Sequence, residues 1–149
     1  PGENPRKAKK TARLKAMDYL ARRDHSLLEL ETKLAPHFPK EEIDQALEEI
    51  SKRGWILPPD ELSEKVSHQL HQKKKGYLYI LHFLRKKGLP MVAKDPEQEL
   101  EKALSLILEK PVDVTNRQRM ASLLKNRGFD TETIGRALHE IRRRSQSLY

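Results

Sequence analysis

The sequence predicts an all-α protein made of small helical units. Helix-start and helix-stop signals divide the 149 residues into about eight amphipathic segments, and no segment alternates apolar and polar residues as a half-buried strand does. Hydrophobic residues make up 36% of the chain and charged residues 35%. The apolar side chains must therefore form narrow stripes on helices instead of one deep core, which favours thin, extended packing.

The first three predicted helices have clear ends. We expect the first helix over about 11–23. Ser26 and Glu29 form a capping-box pair for the second helix, in which each side chain accepts a hydrogen bond from the other residue's backbone amide. The third helix should begin after Pro39 and end at Gly54, since proline suits a first turn and glycine a helix C-terminus.

Proline, glycine and cap signals also predict the five helices that follow. Pro58 and Pro59 interrupt the chain before the fourth helix, and Asp95 with Pro96 gives the sixth helix a cap and a first-turn proline. The fourth helix should run from the proline pair to Gly76, the fifth over 77–87 and the sixth from Asp95 to Pro111. The seventh should cover 115–127, and the eighth should begin at Asp130.

Two patterns recur along the chain. A helix end, basic residues, a glycine and an apolar anchor occur around Gly88 and again around Gly128, 40 residues later. Such recurrence is typical of tandem helical units that bury their apolar stripes against one another, although any two amphipathic helices share the same apolar spacing. The other recurring set is Ile43, Ala46, Leu47 and Ile50, repeated as Ile134, Ala137, Leu138 and Ile141.

The charge is segregated along the sequence. Lysine and arginine number 30 against 22 acidic residues, for a net charge of +8. Residues 62–94 contain eight basic and one acidic residue, and 114–149 contain eight and three, whereas 29–61 contain four and nine. This pattern predicts a surface that binds a polyanion or an acidic protein.

Basic residues near helix ends are the candidate partner-binding side chains. The alternative for each one alone is that it stabilises the negative end of a helix dipole. For the three consecutive arginines near the C-terminus, the alternative is a solvated tail. The candidates are Arg22, Arg23, Lys33, Lys73, Lys74, Lys75, Arg85, Lys86, Lys87, Lys125, Arg127, Arg142, Arg143 and Arg144.

The few aromatic residues are interpreted mainly as core. Trp55 and Phe129 each follow a capping glycine, where an apolar side chain commonly packs back on the helix end. Tyr77 and Tyr79 lie beside the lysine run and could stack on bases, but single-strand platforms normally interleave more aromatic residues with the charge.

The sequence offers no catalytic centre. It contains no glycine-rich phosphate loop and no nucleophile elbow, so we expect neither an enzyme nor a cofactor. His68, His71 and His82 lack a clear further ligand, and there is no cysteine, so we expect no metal site and no disulfide. The longest apolar run is too short to cross a membrane, and we expect a cytoplasmic monomer with a flexible basic tail over residues 1–10.

Three groups of residues between Ala16 and Ile141 occur in the order of one known family's signatures. They are Arg23-Asp24-His25-Ser26 with Glu29-Leu30 and Lys33-Leu34; Lys75-Gly76 with Ile80, Leu84 and Lys87-Gly88-Leu89; and Leu123 to Phe129 around Arg127-Gly128-Phe129. Each group is short, but the three in this order are specific. The chain resembles the RecX family of regulators of the RecA recombinase.

The resemblance implies tandem three-helix repeats in an elongated, curved array. We place the repeats at 11–57, 58–94 and 95–149, the last with a basic C-terminal tail. Two stretches depart from the family pattern. The sequence from Leu57 to Glu61 contains two prolines where the family usually has an acidic pair, and 89–94 is too short for a third helix, so we expect an abbreviated middle repeat.

The resemblance also implies a partner, the RecA filament on single-stranded DNA. It implies inhibition of the recombinase, ATPase and co-protease activities of RecA. Single-stranded and double-stranded DNA are further candidate ligands. The alternative hypothesis is a direct DNA-binding protein of the helix-turn-helix type, although no predicted helix presents a full set of base-reading polar residues on one face.

Overall fold

The part of the chain that the structure describes forms eight α-helices, as the sequence predicts. The computed structural model describes residues 10–110 and 112–146, and within these ranges it contains no strand. Most of the predicted tail, the predicted helix end at Pro111 and the last three residues lie outside the described residues. The helices are α1 (Ala12–Arg22), α2 (Leu27–Leu34), α3 (Lys40–Lys52), α4 (Pro59–Gln72), α5 (Tyr77–Lys86), α6 (Pro96–Glu109), α7 (Arg117–Asn126) and α8 (Thr131–Gln146).

Side-chain caps fix several helix starts. The predicted capping box at the start of α2 is complete, since Ser26 Oγ accepts from the Glu29 amide at 3.1 Å and Glu29 Oε1 accepts from the Ser26 amide at 3.2 Å. Asp95 caps α6 as predicted. α7 begins two residues later than predicted because Asn116 is its cap, with Oδ1 accepting from the Arg119 amide at 3.1 Å.

Three glycines end helices in the left-handed backbone region. Gly54, Gly88 and Gly128 have φ of 69°, 65° and 90°, values at which a Cβ atom would be strained. The residue after the third of these glycines, Phe129, is buried as predicted. The prediction that Trp55 is buried is wrong, because its side chain is 41% exposed and the Arg53 guanidinium lies 5.0 Å from the ring centre.

The first of two compact units contains residues 10–62 and 87–89. α1, α2 and α3 pack against one another in pairs. Gly88 lies against Leu28, whose Cδ2 would be 2.9 Å from a Cβ atom at the glycine. The core of this unit consists of Ala16, Leu30, Leu34, Ile43, Leu47 and Ile50.

The second unit contains residues 63–86 and 90–146. α8 packs against both α6 and α7. The residues of α8 that repeat the apolar set of α3 lie in, or pack against, the core that it shares with these helices. The apolar spacing along α6 predicts that Leu108 faces inward, but its side chain is exposed at the end of the helix. The core consists of Ala103, Leu104, Leu106, Ile107, Met120, Leu124, Phe129, Ala137, Leu138 and Ile141.

The middle of the chain has two helices where each end has three. α4 and α5 are followed by 89–95, which contains no helix. Two hydrogen bonds fix residues 90–92 of this segment within the second unit: Ser63 Oγ donates to Pro90 O at 2.7 Å, and the Tyr77 hydroxyl donates to Val92 O at 2.7 Å. The expected abbreviation of the middle repeat is therefore present as a missing third helix.

Candidate functional site

The start of α5 meets the end of α7 in the second unit. The Gly76 amide donates to Arg127 O at 2.9 Å, and the Leu78 amide donates to Gly128 O at 2.9 Å. A helix start leaves amides without partners and a helix end leaves carbonyls without partners. Each helix therefore satisfies backbone groups that the other leaves open.

Two glycines make this backbone contact possible. A Cβ atom at Gly76 would overlap the carbonyl group of Gly128. A Cβ atom at Gly128 would lie 2.5 Å from Tyr79 Cβ. The glycines of the Lys75-Gly76 and Arg127-Gly128-Phe129 motifs are thus needed for the same junction, although 52 residues separate them in the sequence.

A buried ion pair on α6 binds the backbone at the junction. Glu99 and Lys102 are 1% and 7% exposed, and the Lys102 ammonium pairs with the Glu99 carboxylate. Glu99 Oε1 accepts from the Tyr77 amide at 2.7 Å, while Lys102 Nζ donates to Lys75 O at 2.6 Å. The pair therefore binds backbone groups on both sides of Gly76 and positions the loop that contains the lysine run.

His71 is part of the same buried network. Lys102 Nζ donates to His71 Nδ1 at 2.8 Å, which requires that this ring nitrogen carry no proton. Burial, then the neighbouring charges of Lys102 and His68, lower the pKa of His71, against an opposing effect of Asp95. Burial also lowers the pKa of Lys102, although Glu99 opposes that shift.

The lysine run has a strained backbone at its centre. Lys74 has φ of 58°, a left-handed conformation that costs a residue with a Cβ atom about 1 kcal/mol. The Lys75 amide donates to Leu70 O at 3.0 Å across this turn, and the Lys74 ammonium pairs with Glu109. Lys73 is exposed, and Lys75 Nζ lies 4.7 Å from the centre of the Tyr79 ring.

A surface groove of about 450 Å³ lies beside the junction. Tyr79, 38% exposed, and Lys125, also exposed, both line it. We define the junction patch as Lys73, Lys75, Tyr79, Lys125 and Arg127. Within 10–110 and 112–146, none of its four cations forms an ion pair with a carboxylate. The groove is lined by Leu78, Tyr79, Lys125, Asn126, Gly128, Phe129, Thr131 and Ile134.

Comparison with known proteins places the chain in a family. Residues 12–49, which cover α1, α2 and most of α3, match the family model described as RecX, first three-helix domain. The chain is 30% identical over 142 residues to regulatory protein RecX of Neisseria meningitidis serogroup C, covering 89% of this chain and 92% of the relative. The chain belongs to the RecX family. RecX of Pseudomonas savastanoi pv. phaseolicola is 34% identical over 139 residues, with 83% and 86% covered.

The fold agrees with that of solved RecX structures. The crystal structure of RecX from Lactobacillus salivarius aligns with a TM-score of 0.72 at 17% identity, over 87% of this chain and 94% of that one. A crystal structure of regulatory protein RecX aligns with a TM-score of 0.64 at 20% identity, over 85% and 72%. The sequence-based resemblance to the RecX family is therefore confirmed, and so is the helical fold.

Several other predicted binding residues of this RecX-family chain are engaged in internal contacts in the first unit. Arg23 and Lys87 each lie 2.8 Å from Glu29 Oε2. Burial alone would raise the pKa of Glu29, but hydrogen bonds from Arg23, Lys87 and the Ser26 amide lower it to about 2. Lys33 Nζ lies 2.9 Å from His25 Nε2, while Arg22 is exposed at the end of α1.

The remaining predicted residues lie at two helix ends of the second unit. Arg85 and Lys86 are exposed at the end of α5. On α8, Arg143 and Arg144 both bind Glu140, with Nε–Oε distances of 3.0 and 3.1 Å. Their hydrogen bonds lower the pKa of Glu140 to about 2. Arg142, exposed on the same helix, does not take part in this pairing.

Tyr77, His68 and His71 also have internal partners. Tyr77 donates its hydroxyl to the backbone, so the exposed ring beside the lysines is that of Tyr79. His68 Nε2 lies 3.1 Å from Gln72 Nε2, and His71 accepts from Lys102. In the part of the chain that the structure describes, no group of three or more His, Asp or Glu residues could hold a metal ion. No described helix is long and apolar enough to span a membrane.

The buried pair that positions the site was missed in the sequence analysis. Glu99 and Lys102 are three positions apart on α6. They lie on the same face of the helix as Ala103 and Leu106, and this face is the apolar stripe. In the sequence, two opposite charges on such an apolar stripe indicate a buried ion pair.

Substitution of Gly128 by alanine should destabilise the second unit more than the same change at Gly54 destabilises the first. Both sites have positive φ, which should cost alanine about 1–2 kcal/mol. Only Gly128 adds a steric overlap, worth about 1–3 kcal/mol more, since a Cβ atom at Gly54 would meet nothing within 4 Å. Urea unfolding of both variants measures the difference. Equal losses would contradict the proposed backbone contact.

Glu99→Gln should lower the free energy of unfolding by about 3 kcal/mol, because it leaves the buried Lys102 ammonium without a counter-charge. Glu101→Gln, an exposed change of the same type on α6, should alter it by less than about 0.5 kcal/mol. Denaturant titration at pH 7 compares the two variants. A Glu99 variant as stable as the Glu101 control would show that the pair does not support the junction.

Acidification should destabilise the protein partly through His71. In the folded protein the pKa of His71 is lowered from 6.5, so between the two pKa values the unfolded chain binds more protons than the folded chain. The stability that neutral His71 contributes is therefore present above pH 6.5 and is lost as the pH falls through the folded pKa. Burial also lowers the pKa of His25, so the pH dependence of the wild type alone would not isolate the effect of His71. The wild type is therefore compared with His71→Gln. The variant should lose less stability between pH 8 and pH 5. Parallel pH profiles would exclude His71 as a contributor.

Proposed function

We propose that this RecX-family chain regulates RecA by binding the RecA filament on single-stranded DNA. We further propose that binding inhibits the recombinase, ATPase and co-protease activities of RecA. Membership of a family of regulatory proteins supports the regulatory role. The junction patch is the observation that carries the proposed contact, because its four cations lie on the loop before α5 and at the end of α7, where a buried ion pair binds the backbone on both sides of Gly76.

The patch suits an acidic protein surface. Lys73, Lys75, Lys125 and Arg127 lie around one short junction, and their charges are not cancelled by carboxylates in the described residues. The exposed Tyr79 ring adds apolar area beside the cations. A carboxylate-rich surface of the partner would contact the ammonium and guanidinium groups while excluding water over the ring.

Single exposed ion pairs are too weak to account for regulation alone. Each contributes about 0–1 kcal/mol in water, and salt screens it. A filament presents the same acidic surface many times, so separate cationic sites on one chain can act together through effective concentration. Arg22 in the first unit and Arg85 and Lys86 in the second are exposed cations that could provide such additional contacts.

Direct DNA binding is the second candidate. The position of Tyr79 next to Lys75 and Lys125 favours it, since single-strand binding sites combine cations with aromatic rings. Phosphate contacts release counterions, so binding to naked DNA would weaken steeply as salt increases. Tight, salt-sensitive binding to naked DNA without any effect on RecA would favour this function over the first. Either partner would place the protein in the cytoplasm.

Reversal of the two most exposed patch lysines should relieve inhibition of RecA. In the double variant Lys73→Glu/Lys125→Glu, two or more weak ion pairs would be lost. We therefore expect a concentration about tenfold higher than that of the wild type to be needed to halve RecA ATPase activity on single-stranded DNA. The matched control is Lys40→Glu with Lys110→Glu, which reverses two exposed lysines outside the patch. The control should inhibit like the wild type.

Two results would contradict the proposed contact. One is unchanged inhibition by the patch variant, provided that its unfolding transition matches that of the wild type. The other is an equal loss in the control, which would mean that total charge, and not the junction patch, determines the effect.

A further inference from the structure

A second groove lies in the second unit, between the segment that precedes α7, α7 itself and the end of α8. Its volume is about 440 Å³, within the range of roughly 300–1,000 Å³ that is usual for ligand clefts. Met120, Leu138 and Ile141, which are core residues, form its floor. Val114, 48% exposed and outside the core cluster, adds an aliphatic wall.

Two arginines flank this aliphatic floor. Arg117 and Arg142 line the groove and are exposed, and neither forms an ion pair with a carboxylate in the ranges that the structure describes. The acid nearest in sequence on α8, Glu140, is bound by Arg143 and Arg144. Asp113 accepts hydrogen bonds from the Thr115 amide and hydroxyl at 2.9 and 2.6 Å. The charge of Glu140 is therefore balanced by arginines on α8. Asp113 keeps its negative charge, since the Thr115 groups that bind it are neutral, but Arg117 and Arg142 outnumber it and give the groove a net positive charge.

The chemistry of the lining identifies the class of ligand. Nucleic-acid bases bind by stacking on aromatic rings, and none of the described residues that line this groove is aromatic. Aliphatic side chains with two flanking cations instead complement an amphipathic helix that has aliphatic residues on one face and carboxylates beside them. The polar groups of Thr115, Ser145 and Gln146 lie at the same groove and can bind polar side chains or the unpaired terminal backbone groups of such a helix.

We propose that this groove, defined by Val114, Arg117, Met120, Leu138, Ile141 and Arg142, binds an acidic amphipathic helix of a partner protein. The proposal concerns a surface separate from the junction patch. It does not depend on RecA as the partner, since charge complementarity and the aliphatic floor are its only requirements.

The test uses the full chain and a fluorescein-labelled synthetic peptide. The peptide is an amphipathic helix with leucines on one face and glutamates on the other, and its binding is followed by fluorescence anisotropy. Arg117→Glu with Arg142→Glu should weaken binding by about tenfold or more, since two favourable charge contacts become repulsive. Arg119→Glu is the matched control, because Arg119 is exposed on α7 but does not line the groove.

The apolar part of the proposal has its own test. A peptide with serine in place of each leucine should bind at least about tenfold more weakly, and Val114→Ser should weaken binding of the original peptide by a few-fold, as loss of exposed aliphatic contact implies. Unfolding transitions of all variants are measured in parallel. Amide chemical-shift changes on peptide addition should centre on residues 114–120 and 138–146.

Four outcomes would overturn the proposal. The first is that the leucine peptide does not bind, and the second is that the leucine and serine peptides bind equally. The third is that Arg119→Glu weakens binding as much as the groove variant does. The fourth is that oligo(dT) displaces the peptide and that its binding depends on Arg117 and Arg142 to the same degree. The assay contains no RecA, so these outcomes are independent of the ATPase experiment on the junction patch.

Discussion

The contact between the start of α5 and the end of α7 is the constraint on which the candidate site depends. Two backbone hydrogen bonds and two glycines bring these helix ends together, and the buried Glu99–Lys102 pair binds the backbone on both sides of Gly76. Removing either member of the pair would leave the other as a buried charge without a counter-charge, which is why the junction depends on both. The same loop contains the lysine run, so the interaction that stabilises the junction also positions its cations.

Much of the fold follows from local sequence signals. Cap residues such as Ser26 and Asp95 and the glycines after helix ends predict where helices start and stop, because they satisfy backbone groups without help from distant residues. The exposure of Trp55 was not predictable in this way. Its glycine ends α3 as expected, but the direction of the ring depends on neighbours that only the folded chain provides, among them Arg53.

The candidate site was predictable in part. Segregated charge and the Lys75-Gly76 and Arg127-Gly128 motifs identify residues that the fold places together. Which cations are available depends on the acids that lie near them in space: Glu29 binds Arg23 and Lys87, and Glu109 pairs with Lys74, while Lys73 and Lys125 remain exposed. Sequence spacing does not determine those distances, because the partners of Lys87 and Lys74 are 58 and 35 residues away.

The proposed direct contact between the junction patch and RecA is tested by site-specific photo-crosslinking. The chain contains no cysteine, so a benzophenone maleimide labels one introduced residue, either Lys125→Cys in the patch or Lys40→Cys as the control. On RecA filaments, position 125 should form a covalent adduct with RecA and position 40 should form little. Adducts from position 125 to DNA alone, or equal RecA adducts from both positions, would contradict the claim.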